Sequence, residues 1–146
     1  AHYYSPEVMN EQASALGEAC VRAIEESGKK VVLISSHSLS HRHFVTESPL
    51  PEDMSREHIY NHSQYVWDMK LVNLMRHGKM REVIDIMPEF TEQTIAETEA
   101  GGLTWMMAAM GYPNYPAEIY GYQSVIGTGN LIAAWDPREA TREIVL

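Results

Sequence analysis

The run VVLIS at positions 31–35, followed at once by histidines at 37, 41 and 43, constrains this chain more than any other feature. An unbroken series of aliphatic and β-branched residues reads as a strand covered on both faces, as in layered α/β proteins. In open α/β sheets the residues just beyond a strand's carboxyl end line the ligand crevice. Histidine titrates near neutral pH and ligates transition metals, so residue type and position agree.

The flanking pattern is helical. Ser5-Pro6-Glu7 combines an N-cap hydroxyl, a proline at the first helical position and an acid in the first turn. Val8, Met9, Leu16, Ala19, Cys20, Ala23 and Ile24 then share a face, and Ser27-Gly28 ends the helix before the 31–35 strand. After a loop-like stretch at 49–55, Ile59, Val66, Met69, Leu71, Leu74 and Met75 mark a helix ending at Gly78. Shorter helices are expected from about Lys79 to Met87 and from Pro88 to Glu97 or Ala100. LTWMMAAMG at 103–111 is apolar all round and reads as a buried helix whose methionines fill the core. Beyond the proline-broken YPNYP turn, 119–126 and 131–135 look like strands separated by the loop Gly127-Thr128-Gly129-Asn130. The expected fold is one α/β domain over 1–146, several helices packed on a small mixed sheet.

Composition narrows the partners. Twenty acidic against eleven basic residues give a charge of −9, which argues against binding nucleic acid or an anionic membrane. No apolar run approaches the roughly 18 residues that span a bilayer. The single cysteine, Cys20, excludes an intrachain disulfide and fits a reducing compartment, the cytoplasm; on an apolar helix face it reads as buried and inert.

Several constellations could carry chemistry. His37, His41 and His43 read either as a functional cluster or as solvated loop histidines; no cysteine or nearby acid completes a zinc set. His58 and His62 have helical i, i+4 spacing, but Ile59 stands where the glutamate of HExxH belongs, so a solvated helix start is the simpler reading. GTGN fails as a dinucleotide fingerprint because Ile132 takes the place of the third glycine, yet it could present a hydroxyl and an amide to a small ligand. Glu97 and Glu99 sit where the helix dipole disfavours acids, beside an apolar segment, which makes a metal ligand conceivable.

Four stretches together, YYSPEVMNEQASALGEACVRAIEESGKKVVLISSHSLSHRHF, PLPEDMSREH, IAETEAGGLTWMMAAMGYP and AEIYGYQSVIGTGNLIAAWDP, resemble the class III extradiol ring-cleavage dioxygenases, the superfamily of protocatechuate 4,5-dioxygenase. The resemblance implies a non-haem Fe(II) held by two histidines and a glutamate, cleaving with O₂ a small aromatic such as a 2-aminophenol or a catechol. On the matching motifs it implies that His41 is the catalytic acid/base and Glu97 the carboxylate ligand. Thr128 and Asn130 would line the substrate pocket, and His37 and His43 would take supporting roles. Both histidine ligands belong to an N-terminal half of the family's domain; His2 matches neither. The chain is therefore expected to be the C-terminal part of a larger α/β domain, in an oligomer, completed by a missing half or a second subunit and inactive alone. A non-catalytic partner subunit and a small binding module are the alternative readings.

Overall fold

The computed structural model describes residues 5–42 and 58–141. His2 and His43, and the stretch 49–55, lie outside them. Helix α1 (Pro6–Ser27) begins as its capping residues require: the Ser5 hydroxyl accepts from the Val8 amide at 3.3 Å. It ends at Gly28, whose φ of 61° allows the left-handed cap that bonds its N–H to Glu25 O. Helix α2 (His62–Arg76) is capped by Asn61, which accepts from Gln64 N at 2.8 Å. His58 and Ile59 therefore precede that helix. Helices α3 (Met80–Asp85) and α4 (Met87–Thr94) break at Ile86, where Pro88 supplies no amide to continue the ladder.

Helix α4 stops short of Glu97, because Ile95 turns left-handed and a 3-10 turn, Glu97–Ala100, follows. Gly101 and Gly102 open helix α5 (Gly101–Ala109) rather than interrupting one. Strands β1 (Glu118–Val125) and β2 (Thr128–Ala134) form an antiparallel hairpin. Its turn is only Ile126-Gly127, with φ of 45° and 90°. Positive φ at both positions matches the right-handed twist of paired strands. Thr128, Gly129 and Asn130 consequently stand in β2, not in the expected loop. The register slips between Ile119 and Gly121, a bulge at Tyr120. The α/β class holds, with five helices against a two-stranded sheet among the described residues.

The core is methionine-rich, as the apolar α5 pattern implies. Phe90, Leu71, Met75, Met80, Met87, Met107 and Val83 are fully buried. Helix α1 corrects the expectation from its side-chain pattern: Leu16 is 60 % exposed, and the buried positions are Ala13 and Gly17. Cys20 is half-buried. Small residues are used because α1 packs closely on α5. A Cβ on Gly17 would collide with the Trp105 carbonyl oxygen and meet the Ala108 methyl at 2.6 Å. Asn10 pins the same helix, donating to Ile84 O at 3.3 Å and accepting from the Thr104 hydroxyl at 3.1 Å.

The strand expected at 31–35 does not form among the described residues. Val32 is 84 % and Ile34 78 % exposed, alternating with half-buried Leu33 and Ser35. That period of two marks a run with one face against the protein. Strand structure needs a partner backbone, and the two described strands pair with each other.

Gly17→Ala separates two effects of opposite sign. Helix propensity alone favours alanine by about 1 kcal/mol, whereas forcing a methyl into a closed contact costs about 1–3 kcal/mol. Packing should win, lowering the urea unfolding free energy by up to about 2 kcal/mol; a gain in stability would refute the close α1–α5 approach.

Candidate functional site

Residues 38–41 are held from both sides. On one side Leu39 N donates to Gly129 O at 2.9 Å and Gly129 N donates to Ser40 O at 3.1 Å, joining the segment to the start of β2. On the other, Ser40 bridges Ala96 and His41 N donates to Thr94 O at 3.4 Å. The segment after VVLIS is thus wedged between the hairpin and the end of α4, a placement no local pattern specifies.

This wedging brings His41 and Glu97 together. Ser38 N donates to Glu97 Oε2 at 2.5 Å, and His41 Nδ1 lies 3.9 Å from the same oxygen. The Ser38 hydroxyl sits 3.2 Å from His41 Nδ1. His37 turns its Nδ1 to Ser38 O at 2.7 Å, so that nitrogen is the donor. The Glu97 carboxyl is held below its ordinary range, chiefly by the Ser38 amide. Burial opposes that shift, while the Ser38 hydroxyl and the neighbouring His41 and His37 add to it. Both side chains of the pair remain about one-third open to solvent, 35 % for His41 and 34 % for Glu97. An ionised carboxylate beside an accessible imidazole can bind a cation and exchange a proton with a ligand.

The backbone carrying Glu97 is unusual. Ile95, Thr98, Glu99 and Ala100 all have φ between 48° and 57°. Left-handed geometry costs a non-glycine residue on the order of 1 kcal/mol. It persists here where Thr94, Ala96, Glu99 and Ala100 are buried around it. The two acids of this turn separate: Glu99 is buried and Glu97 faces the opening.

Thr128 and Asn130 flank Gly129, the residue that touches the histidine segment. Thr128 is buried, and Asn130 is exposed with its amide donating to Thr128 O at 3.0 Å. His58 serves a different purpose, its N–H donating to Ser124 O and its carbonyl accepting from Gly127 N. Among the described residues no three His, Cys, Asp or Glu side chains gather to hold a metal ion.

Sequence reasoning missed Asp68. It is fully buried and accepts from Ser40 N at 3.1 Å, the Ser40 hydroxyl at 2.6 Å and the Tyr122 hydroxyl at 2.6 Å. Burial pushes its carboxyl above the usual range, against the opposing pull of those hydrogen bonds. A signal was present: Gln64, Asp68, Leu71, Val72 and Met75 form the buried stripe of α2, and an acid on such a stripe requires partners.

The comparisons fall on this framework. Residues 2–133 match the family described as the catalytic LigB subunit of aromatic ring-opening dioxygenase. The chain is 48 % identical over 135 residues to the 2-aminophenol 1,6-dioxygenase beta subunit of a Pseudomonas species, covering 92 % of this chain and 44 % of that protein. It is 28 % identical over 105 residues to 3,4-dihydroxyphenylacetate 2,3-dioxygenase of Escherichia coli, covering 72 % of this chain and 37 % of that one. The chain thus spans less than half the length of each of these relatives. With the matched span embracing the His41–Glu97 pair and most of the hairpin beside it, the chain belongs to the LigB family of aromatic ring-opening dioxygenases.

Proposed function

We propose that this chain is the C-terminal portion, over residues 1–146, of an extradiol dioxygenase that cleaves a 2-aminophenol or catechol-type ring with O₂. The observation carrying the reading is that His41 and Glu97 converge on Ser38 in an opening to solvent. Glu97 is a hard anionic donor, ionised at neutral pH and about one-third open to solvent, which suits Fe(II) in a site of two histidines and one carboxylate. No complete ligand set gathers among the described residues, and on the family resemblance the two histidine ligands come from outside this chain. Fe(II) held by Glu97 and those histidines would supply Lewis acidity toward the substrate hydroxyl and O₂.

His41 then takes the proton from the substrate hydroxyl and later returns one. The Ser38 hydroxyl beside Nδ1 supports this role by orienting the imidazole. Thr128 and Asn130, placed by Gly129, border the substrate. Retention of both His41 and Glu97 favours a catalytic chain over an inactive subunit or a simple binding module. The beta-subunit relative supports a second kind of subunit in an oligomeric assembly. A lone cysteine supports a reducing, cytoplasmic location.

The apolar segment 31–35 supports completion by further chain. It borders a groove of about 1160 Å³ that also involves Ala109, Tyr120 and Trp135. Strand residues apolar on both faces need cover on both. A covering segment from the remainder of the protein or from a second subunit would bury Val32 and Ile34 and bring the missing ligands.

In the full-length enzyme, Glu97→Ala should abolish iron retention and ring-cleavage absorbance while leaving the circular dichroism spectrum intact; full activity would sink the assignment. His41→Ala should keep its iron and lose about 10²–10⁴-fold in kcat. Ile34→Asp should leave the helical signal of the 146-residue chain unchanged yet reduce iron per full-length molecule; parental iron content in that variant would speak against a covering segment.

A further inference from the structure

Among the described residues outside the His41–Glu97 pair, Asp68 stands apart as a fully buried carboxylate hydrogen-bonded by three donor groups. The three contacts are consistent with one another as donors to Asp68. The Ser40 amide can only donate. The Ser40 hydroxyl shares the Gly129 N–H with Ser40 O, each at 3.1 Å, and donates to Asp68 Oδ2 at 2.6 Å. Tyr122 donates to the same oxygen, its ring fixed edge-on against Tyr65 with centroids 5.9 Å apart. All three donors match an ionised carboxylate, which has acceptors and no hydrogen to give.

The cluster leaves no spare volume. A Cβ on Gly129 would collide with the Asp68 carboxylate and meet Ser40 Oγ at 2.7 Å and Tyr122 OH at 2.8 Å. Helix α2, both strands of the hairpin and segment 38–41 therefore meet at one point. Ser40 immediately precedes His41, and Gly129 lies between Thr128 and Asn130.

We propose that Asp68 is a positioning residue, a buried clamp that fixes Ser40 against Gly129 and so sets His41 relative to Glu97 and the β2 edge of the substrate pocket. The inference rests on the dioxygenase reading for its effect on catalysis but not for the clamp itself. Because Asp68 hydrogen-bonds Ser40 directly, whereas its contact with Gly129 is one of packing, the catalytic loss should fall mainly on proton transfer. In Asp68→Asn the amide group has hydrogens where two hydroxyls now donate, so those hydroxyl hydrogens lose their buried acceptor. A small displacement of a proton-transfer group is enough to slow chemistry strongly.

The test uses full-length, iron-loaded enzyme with the aromatic substrate that the parent turns over. Asp68→Asn should lower kcat at least about tenfold with KM within about threefold and iron per chain unchanged. Adding Ser40→Ala should cause little further loss, because both changes break one clamp. Amide hydrogen exchange at Ser40 and Gly129 should accelerate at least about tenfold while the α5 amides stay protected. Parental kcat, multiplicative losses in the double variant, or unchanged exchange at both amides would overturn the clamp. If Asp68→Asn does not fold, Tyr122→Phe removes one donor without introducing one, and the same kcat and exchange measurements decide on that variant. A parent without ring-cleavage activity would refute the dioxygenase reading, and the exchange data would then decide the clamp alone.

Discussion

The backbone of residues 38–41 is the point on which the rest of the site depends. It bonds to Gly129 on one side and Thr94 on the other, while its side chains and amides reach Glu97 and Asp68. Two carboxylates on opposite flanks thus satisfy two amides, Ser38 and Ser40, spaced by one residue. The chain bends at Leu39, between those two serines, which is how one short stretch can serve an open site and a buried cluster together. Each charge-assisted bond of this type contributes roughly 1.5–3 kcal/mol. That scale is comparable with the left-handed strain at Ile95, Thr98, Glu99 and Ala100, so the turn presenting Glu97 can be held although its backbone is locally unfavourable.

The parts of the fold legible in the sequence are those with local causes. Ser5-Pro6 starts α1 and Gly28 ends it, since a cap and a left-handed glycine act within a few residues. The apolar run of α5 reads as buried for the same reason, and Met107 is fully buried. The hairpin was legible in its strands but not in its turn. Gly127-Thr128-Gly129-Asn130 has loop composition, yet Gly129 is needed inside β2 because Asp68, Ser40 and Tyr122 close around it.

What was not legible depends on distant partners. The 31–35 run has every residue-level mark of a strand, but pairing is a property of two segments, and its outer face stands open here. On α2 an apolar-face reading that includes Val66 points partly to solvent, since Val66 is half exposed and Gln64 and Asp68 occupy the buried stripe. Buried polar residues are invisible to a hydrophobic pattern and become interpretable only once Ser40, Tyr122 and Gly127 are seen to meet them. Family resemblance singled out His41 and Glu97, and the geometry brings them onto the same serine; it left Asp68 unmarked.

The uncovered apolar run and the carboxylate proposed as a metal ligand, Glu97, are linked by their position. The exposed residues Val32 and Ile34 lie a few residues before Ser38, on the segment whose far end contacts Glu97. Burying each of those side chains would contribute about 1.5–3 kcal/mol. A covering segment that also delivered histidines would couple its docking to metal binding, because each event would lower the cost of the other. Iron would then stabilise the assembled domain far more than this portion, and the apolar cover would hold His41 and Glu97 in a site drier than the one-third exposed pair seen here. Drying a carboxylate–imidazole pair strengthens every electrostatic contact within it. The hydrogen bond from Ser38 to Glu97 would suit such an assembly: it lowers the carboxyl pKa and so opposes the desolvation that drives a carboxylate toward the neutral acid.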